Sequence, residues 1–136
     1  MKILMMFCDE FGYEPAVKNL EEAPEVSQGA SFQKVLVAFI QAEEKDEADP
    51  KGTEDKLLNV VKWGARKNES RHVILHSFAH LAESKADAEF THELFNRAQH
   101  RMIKADWQCD QTPFGYFLDL KIVAPGVSQA RIFKSF

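Results

Sequence analysis

Short apolar runs separated by polar segments dominate the hydrophobic pattern of this chain. The runs at residues 3–8 and 34–42 are mainly apolar, which is typical of strands buried on both faces of a sheet. Residues 18–31 between them are acidic and polar and are predicted to form a loop. The last ten residues suit either a strand or a short helix. Further strands are predicted at three places, 73–75, 107–109 and 116–123.

Two other stretches carry apolar residues at helical spacing. In the first, Thr53 is predicted to be the N-cap, and the helix is expected to end near Asn68. In the second, Ser84 or Asp87 is expected to cap a helix that ends near Ala105. The positions predicted to face the core are Leu57, Leu58, Val61 and Ala65, followed by Phe90, Leu94, Ala98 and Met102.

The order of these elements defines a fold class. A chain of 136 residues is the length of one domain, so residues 1–136 are predicted to form a single unit. Connections through helices favour parallel strands, whereas the loop between the first two strands allows them to pair antiparallel. The sequence therefore predicts an α/β domain with a mixed β-sheet and two main helices.

Composition narrows the compartment and the classes of partner. Lys plus Arg is 17, Asp plus Glu is 21 and the net charge is −4, so a nucleic-acid contact must come from a local basic patch. No apolar run approaches the roughly 20 residues of a membrane helix, and no membrane association is expected. Two cysteines cannot build a disulfide framework, which favours a cytoplasmic location.

Basic side chains cluster in two places, and each cluster has two interpretations. Either cluster can be a solvated helix face, which is the commoner role of such charges. Either can instead be a phosphate footprint for the acceptor end of a nucleic acid. The clusters are Lys62, Arg66, Lys67 and Arg71 at the end of the first helix, and Arg97, Arg101 and Lys104 on the second.

Several catalytic chemistries are not expected. The chain has no GxxxxGK[ST], GxGxxG or GxSxG motif, which disfavours a nucleoside triphosphatase, a Rossmann dehydrogenase and an α/β-hydrolase. Cys8 lies in an apolar strand beside Asp9, and both features raise the pKa of a thiol, so a small buried hydrophobe is favoured over a nucleophile. Cys109 invites the same two interpretations.

A pair of histidines raises the question of a metal site. His76 and His80 are four residues apart, but His76 ends a predicted strand and His80 begins a loop. Four residues of extended chain span about 13 Å, too far for two ligands of one ion. The segment also lacks the glutamate of an HExxH motif. No metal is expected, and a packed or capping histidine is favoured.

Four segments together resemble the archaeal-type editing domain at the N-terminus of threonyl-tRNA synthetase. The resemblance covers essentially the whole chain, and the combination of two short motifs at this separation is more specific than either motif alone. The segments are Met1–Glu14 with Asp9, Tyr13 and Glu14, then Val35–Ile40, Phe78-Ala79-His80-Leu81 and Pro113-Phe114-Gly115-Tyr116.

The resemblance implies a fold, a reaction and an assembly. The implied fold is that of the D-aminoacyl-tRNA deacylases, and the implied assembly is a homodimer. Family members hydrolyse serine wrongly attached to threonine tRNA, by attack of water on the ester at the 3′ adenosine. A synthetase pocket gains only about 1–3 kcal/mol from one methyl group, so a second hydrolytic site is needed to remove serine. A positioned water and oxyanion donors suffice, so no cofactor or metal is expected.

The resemblance also implies site residues. His80 is expected to be the catalytic polar group near the ester or the substrate amine. Asp9 and Arg131 are expected to lie behind the residues that touch the substrate. The residues expected to shape the substrate pocket are Phe78, Ala79, Pro113, Phe114, Gly115, Tyr116 and Leu118.

The chain departs from the family pattern at three positions. Leu118 stands where the family has a lysine, Arg131 falls on a functional glutamate by ungapped counting, and Ser77 replaces a proline. Lys121 is three residues beyond Leu118, so in a regular strand it is expected to point away from the pocket.

Two hypotheses follow. The first is a free-standing editing domain that hydrolyses seryl- or D-aminoacyl-tRNA esters in trans, with the acceptor end of aminoacyl-tRNA as its partner. The second is a non-catalytic module that has lost the editing lysine. Such a module would bind a nucleoside, an amino acid or a tRNA end, or would serve dimerisation, and a threonyl-tRNA synthetase is a candidate partner. The chain length fits either a free-standing domain or an excised piece.

Overall fold

Six strands share one mixed sheet, and two long helices pack on one of its faces, in a computed structural model that describes residues 1–136. Short 3-10 segments at Glu44–Ala48 and Ser128–Ala130 complete the regular structure. The helices are α1 (Pro50–Lys67) and α2 (Ala88–Lys104). The strands are β1 (Lys2–Lys18), β2 (Ala30–Gln41), β3 (His72–Ser77), β4 (Gln108–Gln111), β5 (Tyr116–Val123) and β6 (Arg131–Ser135).

The strand order β4-β3-β2-β1-β5 confirms the mixed sheet expected from the sequence. β1 is antiparallel to β2, as its loop connection allowed, while the helical crossovers make β2, β3 and β4 parallel. β5 and β6 both pair with β1, β5 along its second half and β6 along its first half. The carboxyl ends of the three parallel strands therefore meet at one edge, where ligands commonly bind in α/β sheets.

Alternation along the strands divides the core into two faces. Ile3 and Met5 of β1 pack with the apolar stripes of both helices, whereas Cys8 and Phe11 belong to a second cluster on the opposite face. Every core position predicted on the helices is buried except Phe90, which is half-buried. No helix of the chain is long and apolar enough to cross a membrane.

The predicted start of the first helix was wrong. α1 begins at Pro50, and Asp49 is its N-cap, because the Asp49 carboxylate accepts the N–H of Gly52 at 3.0 Å. Proline suits the first helical position because its missing N–H would have no partner there. Thr53 instead lies inside the helix and donates its hydroxyl to the Asp46 carbonyl. For α2, Asp87 rather than Ser84 is the N-cap residue.

The strand bounds differ most where pairing is long-range. β1 continues ten residues beyond its predicted end at Cys8, because its polar second half pairs with β5 as well as β2. Asp9 therefore lies within the strand and not at its end. β5 has its predicted bounds, β4 is shifted to Gln108–Gln111, and the ambiguous tail forms β6 against β1.

Candidate functional site

A cavity of about 600 Å³ opens where the carboxyl ends of β2 and β3 meet the beginning of α2. The β4–β5 loop, the first half of β5 and the residues just after β1 close its other sides. Twelve of its 22 lining residues are hydrophobic. A largely apolar cavity with a few converging polar groups is typical of a small-molecule site.

The cavity brings together most of the predicted site residues. Asp9 and Arg131 lie outside the lining. Asp9 binds the Lys34 ammonium across β1 and β2, and Arg131 donates to the Pro125 carbonyl at 2.7 Å. The predicted residues that line the cavity are Phe78, Ala79, His80, Pro113, Phe114, Gly115, Tyr116 and Leu118.

His76 is the buried polar group of the cavity. Only 6% of its surface is exposed, and its Nδ1 lies 2.9 Å from Oγ1 of Thr112. Burial lowers the pKa of His76 from 6.5 to about 4, because the charged imidazolium would lose its hydration. His76 is therefore a neutral imidazole at neutral pH, able to donate one hydrogen bond and accept another.

His80 is the exposed imidazole of the same wall. Its ring lies edge-on to the ring of Phe78, with centroids 4.9 Å apart. Phe78 in turn packs edge-on against Phe39 of β2 at 5.2 Å, which fixes the base of the loop that carries His80. His80 is thus positioned by an aromatic contact while both ring nitrogens have no hydrogen-bond partner in the chain.

Gln41 holds this loop from below. Its Oε1 accepts the N–H groups of Leu81 and Ala82, each at 2.7 Å, and its Nε2 donates to two loop carbonyls. The N–H groups of Ala79 and His80, two residues earlier in the chain, donate to no acceptor in the chain. Two adjacent backbone donors at the cavity wall are the kind of group that stabilises an oxyanion.

The Pro113–Tyr116 turn forms the opposite wall. The Phe114 ring stacks on His92 of α2, with centroids 4.7 Å apart and planes 4° from parallel. Gly115 has a φ of 88°, a left-handed conformation in which a side chain would be strained. An added Cβ would also lie 2.9 Å from Cβ of Ala23, so glycine is required here on two counts.

The β1–β2 loop is fastened to this turn. The Gly115 carbonyl accepts the N–H of Asn19 at 2.7 Å. The Tyr116 hydroxyl donates to the Pro24 carbonyl at 2.6 Å and accepts the N–H of Val26 at 2.9 Å. The Tyr116 ring lines the cavity, but its hydroxyl is occupied in holding the loop, which corresponds to a shaping role.

The charge of the cavity is one-sided. Lys85 is the only lysine or arginine among the lining residues, and no aspartate or glutamate is among them. Leu118 and Leu120 supply an apolar wall, while Lys121 pairs with Glu10 at 3.0 Å outside the cavity, as the alternation along β5 predicted. The cavity therefore favours an anionic or electron-rich ligand.

Several polar lining residues were not predicted as site residues, among them Gln41, His76, Thr112 and Lys85. Gln41 and His76 stand at the ends of β2 and β3, and Thr112 directly follows β4. A polar residue at the carboxyl end of a buried strand was the available signal for these three. Lys85 lies in a loop with no local motif, so nothing in the sequence marked it.

The cysteines have the environment expected of inert thiols. Burial and the adjacent Asp9 raise the pKa of Cys8 from 9.0 to about 11. Burial and the adjacent Asp110 raise the pKa of Cys109 to about 12. A thiol that stays protonated at neutral pH is a poor nucleophile, so the prediction of small buried hydrophobes is confirmed. No group of three or more metal-ligating side chains is arranged to hold an ion.

The fold has a solved counterpart. The c-Myc DNA unwinding element binding protein superposes with a TM-score of 0.67 over 100% of this chain and 99% of its own, at 11% sequence identity. Identity at this level shows the fold alone. Together with the cavity at the strand ends, it places the chain among proteins with the D-aminoacyl-tRNA deacylase-like fold.

Sequence similarity then shows the family. The archaea-specific editing domain of threonyl-tRNA synthetase matches residues 1–136, so the chain belongs to that family. Threonine–tRNA ligases of Thermococcus onnurineus, Pyrococcus furiosus and Pyrococcus horikoshii are 27%, 28% and 29% identical over 129 residues. Each match covers 93% of this chain and 21% of the relative, so the chain spans about a fifth of their length.

Proposed function

We propose that residues 1–136 form an editing domain that hydrolyses the ester of a mischarged aminoacyl-tRNA in trans, with seryl- and D-aminoacyl-tRNA as candidate substrates. The observation that carries this proposal is the pair of unpartnered N–H groups of Ala79 and His80 at the wall of the cavity. Membership of the editing-domain family supports the same conclusion.

The chemistry needs few groups. Attack of water on the aminoacyl ester places negative charge on the former carbonyl oxygen, and donors aimed at that oxygen lower the barrier. The backbone at residues 79–80 supplies donors, and Gln41 keeps that backbone in place. His80 is the polar side chain beside the ester or the substrate amine, and Phe78 and Phe114 hold the substrate between apolar rings.

Lys85 is part of this proposal. Its ammonium is the one positive side chain at a cavity whose wall has Leu118 where the family pattern has lysine. A cation beside the cavity attracts the phosphates of a tRNA end and stabilises an oxyanion. Lys85 can therefore supply from a loop the charge that β5 lacks.

A second candidate function is binding without hydrolysis. Leu118 and Leu120 make one wall apolar, and no carboxylate lines the cavity to act as a general base. The same cavity would then hold a nucleoside, an amino acid or a tRNA end without cleaving it. The two candidates differ in turnover and not in the ligand.

A homodimer is also proposed. β5 is the last strand of the sheet, and one of its backbone edges has no partner strand. Phe117, Ile122 and Val123 on that strand are 56%, 38% and 44% exposed. A long apolar edge of this kind favours pairing with another chain. A threonyl-tRNA synthetase as partner and a cytoplasmic site of action belong to the same proposal, because both follow from a role on tRNA.

A deacylation assay tests the proposal. The protein is incubated with seryl-, threonyl- and D-aminoacyl-tRNAs, beside His80→Ala and the control His100→Ala, which changes an exposed histidine outside the cavity. We expect faster hydrolysis of one mischarged ester, a loss of about 10²-fold in His80→Ala, and no change in the control. No acceleration on any ester, combined with tight binding of the same tRNAs, would replace the hydrolase with the binding module.

A further inference from the structure

Four cations, two over each of two tryptophan rings, form a surface that the cavity does not use; the Trp63 ring is partly exposed, and the Trp107 ring is buried. They lie at the end of α1, just before β3 and β4, and on β6. We call them the tryptophan–cation surface, which consists of Trp63, Arg66, Lys67, Arg71, Trp107 and Lys134.

Each tryptophan ring holds two cations. The Nζ atoms of Lys67 and Lys134 lie 5.1 and 4.6 Å from the ring centre of Trp63. The guanidinium groups of Arg66 and Arg71 lie 5.4 and 4.5 Å from that of Trp107. A cation held over an aromatic face has already lost part of its freedom, so less entropy is lost when it binds a partner.

None of these four cations forms an ion pair within 4.0 Å. Glu69 and Asp106 lie in the flanking turns, but neither pairs with them. The only polar contacts of the Arg71 guanidinium are with the carbonyls of Ala105 and Asp106. The chain as a whole has a net charge of −4, so this local excess of unpaired positive charge favours binding of an anionic partner.

The distance between this surface and the cavity indicates the size of the anionic partner. Arg71 precedes β3, whose far end at Ser77 lines the cavity, and six residues of strand span about 17 Å. A single nucleotide in the cavity cannot reach that far. A polynucleotide can, and its phosphates recur along the backbone in the way that spaced cations match.

We infer that the tryptophan–cation surface binds the phosphate backbone of an RNA duplex whose single-stranded 3′ end enters the cavity. The inference rests on the proposed function, because the duplex is the acceptor stem of the tRNA that the cavity serves. Recognition is through shape and phosphates and not through base sequence, since duplex RNA offers proteins mainly its backbone and minor groove. Trp63, 39% exposed, keeps two cations at the outer edge of this surface.

The test measures binding of the 136-residue protein to an RNA hairpin with a CCA 3′ overhang and to the isolated overhang, over a range of salt concentrations. Arg66→Gln/Lys67→Gln/Lys134→Gln removes three charges of the surface. Lys45→Gln/Lys51→Gln/Lys121→Gln removes three exposed charges elsewhere. A third variant, Arg66→Lys/Lys67→Arg/Lys134→Arg, keeps the charge. Thermal unfolding confirms that all three fold.

We expect the first variant to bind the hairpin on the order of 10²-fold more weakly at 0.1 M salt, with the slope of log K against log salt reduced by about 2 to 3. The other two variants should match the unmodified protein, and binding of the isolated overhang should not change. Equal losses in the two charge-removing variants would overturn the inference. A second result would also overturn it: the first variant binds the hairpin normally but no longer binds vesicles of anionic lipid or poly-glutamate. The partner would then belong to another class of anion.

Failure of the proposed function has a different signature. An aminoacyl-ester of 3′-adenosine reaches the cavity without touching the tryptophan–cation surface. If the protein binds the hairpin through this surface but does not hydrolyse the small ester, the surface stands and the hydrolase falls. If the protein hydrolyses the small ester and the first variant keeps full hairpin affinity, the hydrolase stands and the proposed role of the surface is wrong.

Discussion

Two concave regions of similar size lie on this molecule, and they differ in how their polar groups are matched. The cavity at the strand ends measures about 600 Å³, and the cleft between the two helices measures about 510 Å³. Five of the seven residues that line the cleft are charged. Glu54 at its base accepts from Arg97 Nε and Arg101 Nη1, each at 2.7 Å, and Arg101 also binds Asp55 at 2.8 Å.

The difference shows why charge density alone does not mark a ligand site. In the cleft, every lysine and arginine is paired with a carboxylate, and the ion pairs of Glu54 join α1 to α2. In the cavity, the N–H groups of Ala79 and His80 and the imidazole of His80 have no hydrogen-bond partner, and Lys85 forms no ion pair. Arg97 and Arg101 lie on an exposed helix face, as one of the two interpretations expected, and they also bind Glu54 and so join the two helices.

Lowering the pH should destabilise the fold, because the fold buries the imidazole of His76 in its neutral form. The unfolded His76 binds its proton near pH 6.5, but the folded one does so only near pH 4, so the unfolded state gains protons first as the pH falls. We expect His76 to lower the free energy of unfolding by about 3 kcal/mol between pH 6.5 and 4. Urea unfolding at several pH values measures it.

The comparison that isolates this effect is between His76→Gln and His100→Gln. The first variant should lose this part of the pH dependence, and the second, which changes an exposed histidine, should keep it. Identical pH profiles for the two variants would contradict a buried neutral imidazole at His76.

Replacing Glu54 at the base of the cleft should lower the free energy of unfolding and leave the cavity intact. Burial alone would raise the pKa of Glu54, but hydrogen bonds from Arg101 and Arg97 outweigh it, so its pKa lies below the ordinary value. Glu54→Gln removes the carboxylate that the Arg97 and Arg101 guanidinium groups share. We expect a loss of about 2 kcal/mol, less than for a fully buried pair because these groups are 43% and 42% exposed.

Chemical denaturation at pH 7 measures this loss, with Glu21→Gln in the exposed β1–β2 loop as the control. The difference between the two variants should shrink in acid, because a carboxylate with a lowered pKa loses its contribution once it is protonated. A variant as stable as its control, or one that also loses deacylation at a temperature where it is folded, would remove the distinction between the cleft and the cavity.

Neutralising Lys85, the cation of the cavity, should have the smallest effect. In contrast to Glu54→Gln, it should change the rate of deacylation and leave stability unchanged. Lys85→Gln removes the only ammonium of the lining, and we expect deacylation about tenfold slower with unchanged thermal stability, because Lys85 is exposed and has no ion pair. Single-turnover rates and melting temperatures, beside Lys45→Gln, measure both. A loss of stability without a loss of rate would assign Lys85 to the fold.

Much of the fold could be predicted because its signals are local. The apolar runs of β2 and β3 and the stripe of Leu94, Ala98 and Met102 depend only on spacing along the chain. Thr53 failed as an N-cap because Asp49 and Pro50 form a stronger local start for the helix. The second half of β1 was missed because its polar residues gain their order from β5, about a hundred residues away in the sequence.

In the candidate site, too, local features could be predicted and contacts between distant segments could not. The motifs around His80 and Gly115 are each contiguous in sequence, and their resemblance to the editing-domain family marked both walls of the cavity. Gly115 also has a left-handed conformation, which glycine adopts without strain. The tertiary structure alone decided that Lys85 joins the cavity, that Arg97 and Arg101 neutralise Glu54, and that Arg66 and Lys67 stay unpaired. Periodicity and turn chemistry act between near neighbours in the chain, whereas the pairing of charges depends on which distant segments folding brings within a few ångströms.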